Sequence, residues 1–376
     1  MSNRIENINL EILIHCRKQI GLDMAEVKKK VPKILSIELG EVKPTFKQAD
    51  ILAELYKVPR WVFISKSLPE KFQLQKTTPS FRKFIADESK VFQDPKIRSV
   101  IARIERHREL VIELAEDIAE PIIPLTPPKW NKQDTPKTIA KKIRNWLQVK
   151  EESLDFSAWR KLLERQGIFV FTTSKFKDWS FLDKELVRGF AIYHTVLPII
   201  LINDSDPKKA QSFTLFHELA HLLRKETVID SWDTDKAIEK WCDEVAANVL
   251  MPQETFLQEV DGIDSLKDIK NLAKRFCVST YACLVRARQL KIISQQKYLS
   301  LQKQMQEEYE KAQKKLKESE GGPPRNRSKE IVQQYGTIST NILFQAYQNS
   351  ELSLHKLMKH FGIKKAPVIF QIEQLL

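Results

Sequence analysis

Residues 216–221 read Phe-His-Glu-Leu-Ala-His, an H-E-x-x-H pattern inside a run of helical character. Histidines four residues apart share one face of a helix, a turn from each other, so His217 and His221 can reach a single metal ion. Glu218 stands on the flank of that face, where its carboxylate can touch a water beside the ion. Phe213, Leu215, Phe216, Leu219, Ala220, Leu222 and Leu223 surround the three polar residues. A helix apolar nearly all round is expected to be buried. There, an unpartnered polar group costs roughly 2–7 kcal/mol by transfer estimates. One metal ion satisfies both histidines and the carboxylate together. The plainer alternative is a pair of core histidines bonded to backbone carbonyls.

A zinc site of catalytic type needs a third protein ligand and an open position. The next helical run, Ile238-Glu239-Lys240-Trp241-Cys242-Asp243, places Glu239 and Asp243 on one face. Glu239 is the expected ligand, with Asp243 accepting the free N–H of a ligand histidine. Glu244 competes for the ligand role but points about 100° away from Asp243. VAANVLMP follows and is apolar, which argues against a purely solvated helix. Two neutral imidazoles and one carboxylate leave zinc a net positive charge, lowering the pKa of bound water toward about 7. Glu218 is then the general base for attack on a peptide carbonyl and the acid for the leaving amine. Mn2+ or Fe2+ suits the same ligands. LPIILIN, residues 197–203, is a strand candidate, and Ile199, Ile200 and Leu201 are expected to form an edge along which an extended substrate aligns.

The rest of the chain narrows the setting. Glycines number 9 in 376 residues, and neither G-x-G-x-x-G nor a Walker-type loop occurs, which removes the glycine-rich nucleotide folds. The cysteines, Cys16, Cys242, Cys277 and Cys283, include no Cys-x-x-Cys pair and are expected to be reduced. MSNRIENINLEIL lacks an apolar core of signal-peptide length, and no run of about 18 apolar residues appears, so a cytoplasmic location without membrane contact is expected. Lys plus Arg number 62 and Asp plus Glu 49, and the resulting +13 invites a nucleic-acid reading. Residues 1–90 hold 17 of the basic and 11 of the acidic residues, so the excess is only modestly concentrated there.

Pattern and punctuation divide the chain into five parts. Short helices separated by Gly21, Pro32, Gly40 and Pro59 suggest a small all-α domain of helix-turn-helix kind over 1–75. A connector and a long charged helix follow over 76–136, ending in a segment with five prolines between 121 and 137. Residues 137–300 combine helices with strand candidates at 168–173, 189–194 and 197–203 and carry the motif. A charged helix and a flexible linker occupy 301–330, and 331–376 is a helical C-terminal region. The fold class is α+β.

These residues resemble the ImmA/IrrE family of metallo-endopeptidases. The likeness lies in RGFA (188–191), LPIILIND (197–204), AQSFTLFHELAHLL (210–223) and IEKWCDEVAANVLMP (238–252). It implies a zincin-like, gluzincin-like domain with His217, His221 and Glu239 as ligands and Glu218 as general acid/base. It extends to LAKRFCVSTYACLVRARQLKIIS (272–294), a helix-turn-helix-like stretch, and to the C-terminal helices. Residues 1–75 resemble the Xre-type domain often fused to this family, and PEKFQLQKTTPSFRKF resembles the connector that usually follows. The family's peptidases cleave a partner transcription regulator, often itself Xre-type, in stress, mobile-element or toxin–antitoxin settings. The expected partner is therefore a DNA-binding regulator protein, and relief of repression the expected outcome.

One departure bears on DNA. Pro32 falls where a recognition helix should begin, and about two turns remain before Gly40. Only Lys33, Ser36 and Glu38 offer base-reading side chains there. Protein docking is the stronger reading for this domain. The competing hypothesis is a DNA-binding repressor or antitoxin whose metallopeptidase-like domain is a sensor or inactive.

Overall fold

Helix boundaries in the computed structural model follow side chains able to satisfy the exposed ends of the backbone ladder. It describes residues 4–69, 72, 80–82, 94–131, 133–149, 153–174, 178–183, 187–227, 235–260, 262–318 and 325–376. These residues are mostly helical with one small sheet. The chain divides into two compact units, Met1–Thr78 with Ile85–Leu110, and Pro79–Phe84 with Val111–Leu376.

In the first unit, α1 (Leu10–Ile20) begins at Asn9, whose side chain accepts from the Ile12 N–H, and ends at Gly21 with φ 76°. Asp23 and Glu26 form a capping box at α2 (Met24–Lys28). The next helix, α3 (Ile34–Glu38), has five residues and no side-chain cap. Thr45 and Gln48 box the start of α4 (Phe46–Tyr56). A 3-10 turn follows over Arg60–Ile64. Leu13, Ile34, Ile37, Leu52, Val62 and Phe63 are fully enclosed and form the core. Arg17 donates twice to Glu38, at 2.7 and 2.9 Å, fastening α1 to the end of α3. The charged helix α5 (Pro95–Asp117) contributes residues to both units.

The second unit is built on four strands, β1 (Ser80–Arg82), β2 (Phe169–Thr172), β3 (Gly189–Ile192) and β4 (Ile199–Ile202), in the order β1-β3-β4-β2. β3 runs antiparallel to β1 and β4, and β4 runs parallel to β2. Two sequence expectations change here. Residues 80–82 of the connector form a strand of this sheet. LPIILIN is not an edge: β4 is paired on both sides, and Ile199, Ile200, Leu201 and Ile202 are fully buried. Four consecutive apolar residues match a strand covered on both faces, whereas an edge strand open to water would alternate.

Helices α6 (Pro136–Trp146) and α7 (Phe156–Arg165) precede β2, and α8 (Lys208–Thr227) follows β4. α8 packs across β1, β3 and β4, with α9 (Asp235–Leu250) against it and α6 against α9. Next come α10 (Gln253–Glu259), α11 (Leu266–Arg275), α12 (Thr280–Gln289) and the long α13 (Gln295–Glu318). Residues 320–324 of the expected linker lie outside the described residues, as does most of the connector. The chain continues as α14 (Arg327–Tyr335), α15 (Thr337–Gln348), α16 (Leu354–Phe361) and α17 (Pro367–Glu373), with α14 packed on β2 and α15 on α7. No helix among the described residues is long and apolar enough to cross a membrane.

Candidate metal centre

The burial expected of the motif helix is nearly complete. From Gln211 to Leu223 every residue of α8 is buried except Phe213, which is half-buried. Phe216 meets the ring of Trp159 edge-on at 4.8 Å. The N-terminal end is held by a polar clamp. Asn203, just past β4, donates to the carbonyls of Leu182 and Val187 at 3.1 and 2.8 Å. Gln211 donates to the carbonyl of Asp206 at 2.6 Å and to Asp204 at 3.1 Å. Thr173, just past β2, donates to Asn203 and accepts from the Asp204 N–H. The sheet end and the motif helix are thus fixed to each other by groups whose hydrogen bonds are made inside the protein.

α8 and α9 bring His217, His221 and Glu239 together. One ligand atom from each lies within 4.8 Å of the others. The two Nε2 atoms are 3.1 Å apart, and the Glu239 carboxylate oxygens stand 3.2 Å from each. A tetrahedron built on metal–ligand bonds of about 2.0–2.1 Å has edges of about 3.3 Å, so the donors present fit a small divalent cation. His217 and His221 are buried, while the Glu239 side chain is 42 % exposed, so solvent reaches the cluster at Glu239. Burial alone would raise the Glu239 carboxyl. Hydrogen bonds and charge from His217 and His221 outweigh it and hold the group well below the usual carboxylate range.

Asp243 lies 2.9 Å from Nδ1 of His217, the nitrogen remote from the convergence point. A carboxylate there favours the tautomer that leaves Nε2 free to ligate. Glu244 does not join the cluster; its carboxylate is 3.9 Å from Lys240. Glu218 is fully buried. Gly189 of β3 approaches it so closely that a Cβ there would meet Glu218 Oε1 at 3.3 Å, Thr214 Cγ2 at 2.7 Å and the Leu201 carbonyl at 2.9 Å. Cys242, next to Asp243 on α9, is fully buried, and burial pushes its thiol up. All four cysteines are free thiols.

Two contributions escape motif reasoning. Trp130, in the proline-rich segment, packs on Trp241 of α9 at 5.3 Å. Arg144 of α6 donates to the Val249 carbonyl at 2.9 Å, holding the end of α9. Neither residue type signals such a role from spacing alone. In comparison with known families, residues 163–288 match the Peptidase_M78 family model, described as an IrrE N-terminal-like domain. No curated protein matches the chain. The matched stretch runs from the end of α7 to the end of α12 and contains His217, Glu218, His221, Glu239 and Asp243. This stretch is similar to a domain of metallopeptidase type, and the ImmA/IrrE resemblance holds for it.

Proposed function

We propose that the protein is a zinc-dependent endopeptidase of zincin-like fold that cuts a partner transcription regulator, itself of Xre type, in the cytoplasm. The observation that carries this reading is the convergence of three donors from two helices, His217, His221 and Glu239, at separations of 3.1 and 3.2 Å. Two imidazoles and one carboxylate favour zinc, and Mn2+ or Fe2+ remains compatible. When bound, the ion supplies the Lewis acidity that polarises a scissile carbonyl and acidifies water. Glu218 takes the proton from the attacking water and returns it to the departing amine. Asp243 keeps the His217 ring oriented through Nδ1.

In this reading, residues 1–75 form a helix-turn-helix-like module that docks protein rather than reading DNA. Three features support that role. α3 has only five residues. Glu38, one of three possible base readers, is engaged by Arg17. Leu35 and Leu39, four residues apart at α3, are 54 % and 63 % exposed where a DNA-reading helix would carry polar groups. Cleavage of the regulator would relieve repression in a stress, mobile-element or toxin–antitoxin operon.

The decisive experiment incubates purified protein with the regulator encoded beside its gene, with and without chelator, and reads cleavage on a gel. About one zinc per chain and chelator-sensitive cleavage are expected. Glu218→Gln should keep the metal and lose the cut. Cutting by Glu218→Gln at the normal rate would refute the assignment.

A further inference from the structure

The strand that the connector contributes to the sheet sits beside the motif. β1 pairs with β3 in the register Ser80 to Ala191, Phe81 to Phe190 and Arg82 to Gly189. Gly189 is the residue whose missing Cβ would lie 3.3 Å from Glu218 Oε1. β1 stands at the end of the strand order, and α8 packs across it as well as across β3 and β4. Residues 80–82 group with the second unit, although the described residues before them, 4–69, and those at 94–110 group with the first.

A peptide that is to be cut near Glu218 needs a sheet edge there, because an extended substrate gains its main-chain hydrogen bonds by adding a strand. β4 is interior. The outer side of β2 is covered by α14, and the Val170 carbonyl accepts from Arg160. The edge nearest Glu218 is that of β3, and β1 holds it. We propose that β1 occupies the substrate's place, so that residues 80–82 compete with the regulator and must leave β3 before an extended segment of that regulator can pair there. The proposal rests on the peptidase reading above. β1 has three residues and β3 has four, so an incoming segment that pairs along all of Gly189–Ile192 makes more backbone bonds than the strand it replaces.

Antiparallel pairing supplies an internal control. Successive N–H groups of β1 point alternately toward β3 and away from it. Of Phe81→Pro and Arg82→Pro, made separately in the full chain, one removes a donor to β3 and the other alters only the outer edge. The probe is dye-quenched β-casein, with metal content and thermal unfolding checked for each protein. One variant should cleave about tenfold faster than the unaltered chain, and the other should stay near it. A synthetic peptide copying residues 76–88 should bring the faster variant back down, and Glu218→Gln in that background should abolish cutting. Two unchanged rates would overturn the proposal, as would a fall in either, the latter meaning that substrate adds to the outside of β1. If neither the unaltered chain nor any variant cuts casein or the regulator encoded beside the gene while all hold metal, the peptidase reading fails and this inference fails with it.

Discussion

Gly189 shows how a single missing methyl group shapes the centre. Its φ lies outside the left-handed region, so conformational freedom is not its role. What it provides is clearance. A Cβ would collide with Thr214 Cγ2 at 2.7 Å and with the Leu201 carbonyl at 2.9 Å, and both neighbours belong to packed elements. Gly189→Ala should therefore cost about 1–3 kcal/mol in denaturant unfolding, the usual penalty of overpacking. The shift needed to relieve the clash also moves β3 against Glu218, so turnover should fall at least about tenfold while metal content stays the same. An unaltered melting curve and rate would show that the contact has slack. At this scale the sequence is legible where side-chain chemistry is periodic. His217, His221, Glu239 and Asp243 declare themselves through i, i+4 spacing on two helices. Gly189 and Trp130 act through proximity to residues distant in sequence, which no local pattern encodes.

At the scale of elements, helices are plainer in the sequence than the sheet. Caps at Asn9, Asp23, Thr45 and Thr135 mark helix starts with residues whose side chains accept from the backbone. Strands give weaker signals. β1 has three residues in a polar stretch and owes its conformation to β3, so propensity does not reveal it. Between β3 and β4, Leu197 takes φ 51° while buried, a position normally marked by Gly or Asn, so the hairpin lacks its usual punctuation. The unbroken apolar run of β4 does contain its answer, since an edge strand with one wet face alternates. The short α3 makes its own prediction. Because Leu35 and Leu39 are mostly exposed, replacing both by Asp should change stability by no more than about 0.5 kcal/mol per site. Capture of the neighbouring regulator by the full chain should nevertheless fall sharply if this face docks protein. Undiminished capture, measured by biolayer interferometry, would rule α3 out as the docking element.

At the scale of the whole molecule, the C-terminal helices belong to the same unit as the sheet, and a buried charge pair on α7 ties them to it. Arg160 donates to Glu164 at 2.8 Å, to the Gln333 carbonyl at 2.6 Å and to the Val170 carbonyl. Glu164 in turn accepts from the Thr337 N–H at 3.2 Å. Gly336 holds φ 87° at this junction, where a Cβ would collide with Glu164 Oε1. Both charged side chains are less than one-tenth exposed, so neither can regain its hydration if the other is lost. Arg160→Met should then cost about 3–5 kcal/mol, because it strands the Glu164 carboxylate in the interior. For a unit of this size that is a fall of roughly 10 °C in melting temperature. Replacing both members by apolar residues, Arg160→Met with Glu164→Leu, removes the stranded charge, so the double variant should melt higher than Arg160→Met alone. Strictly additive losses would mean that the two side chains are solvated independently. Since α14 packs on β2 and is held by the same Arg160, the single variant should also make the C-terminal helices the first part to exchange amide hydrogens with solvent, ahead of α8 and α9.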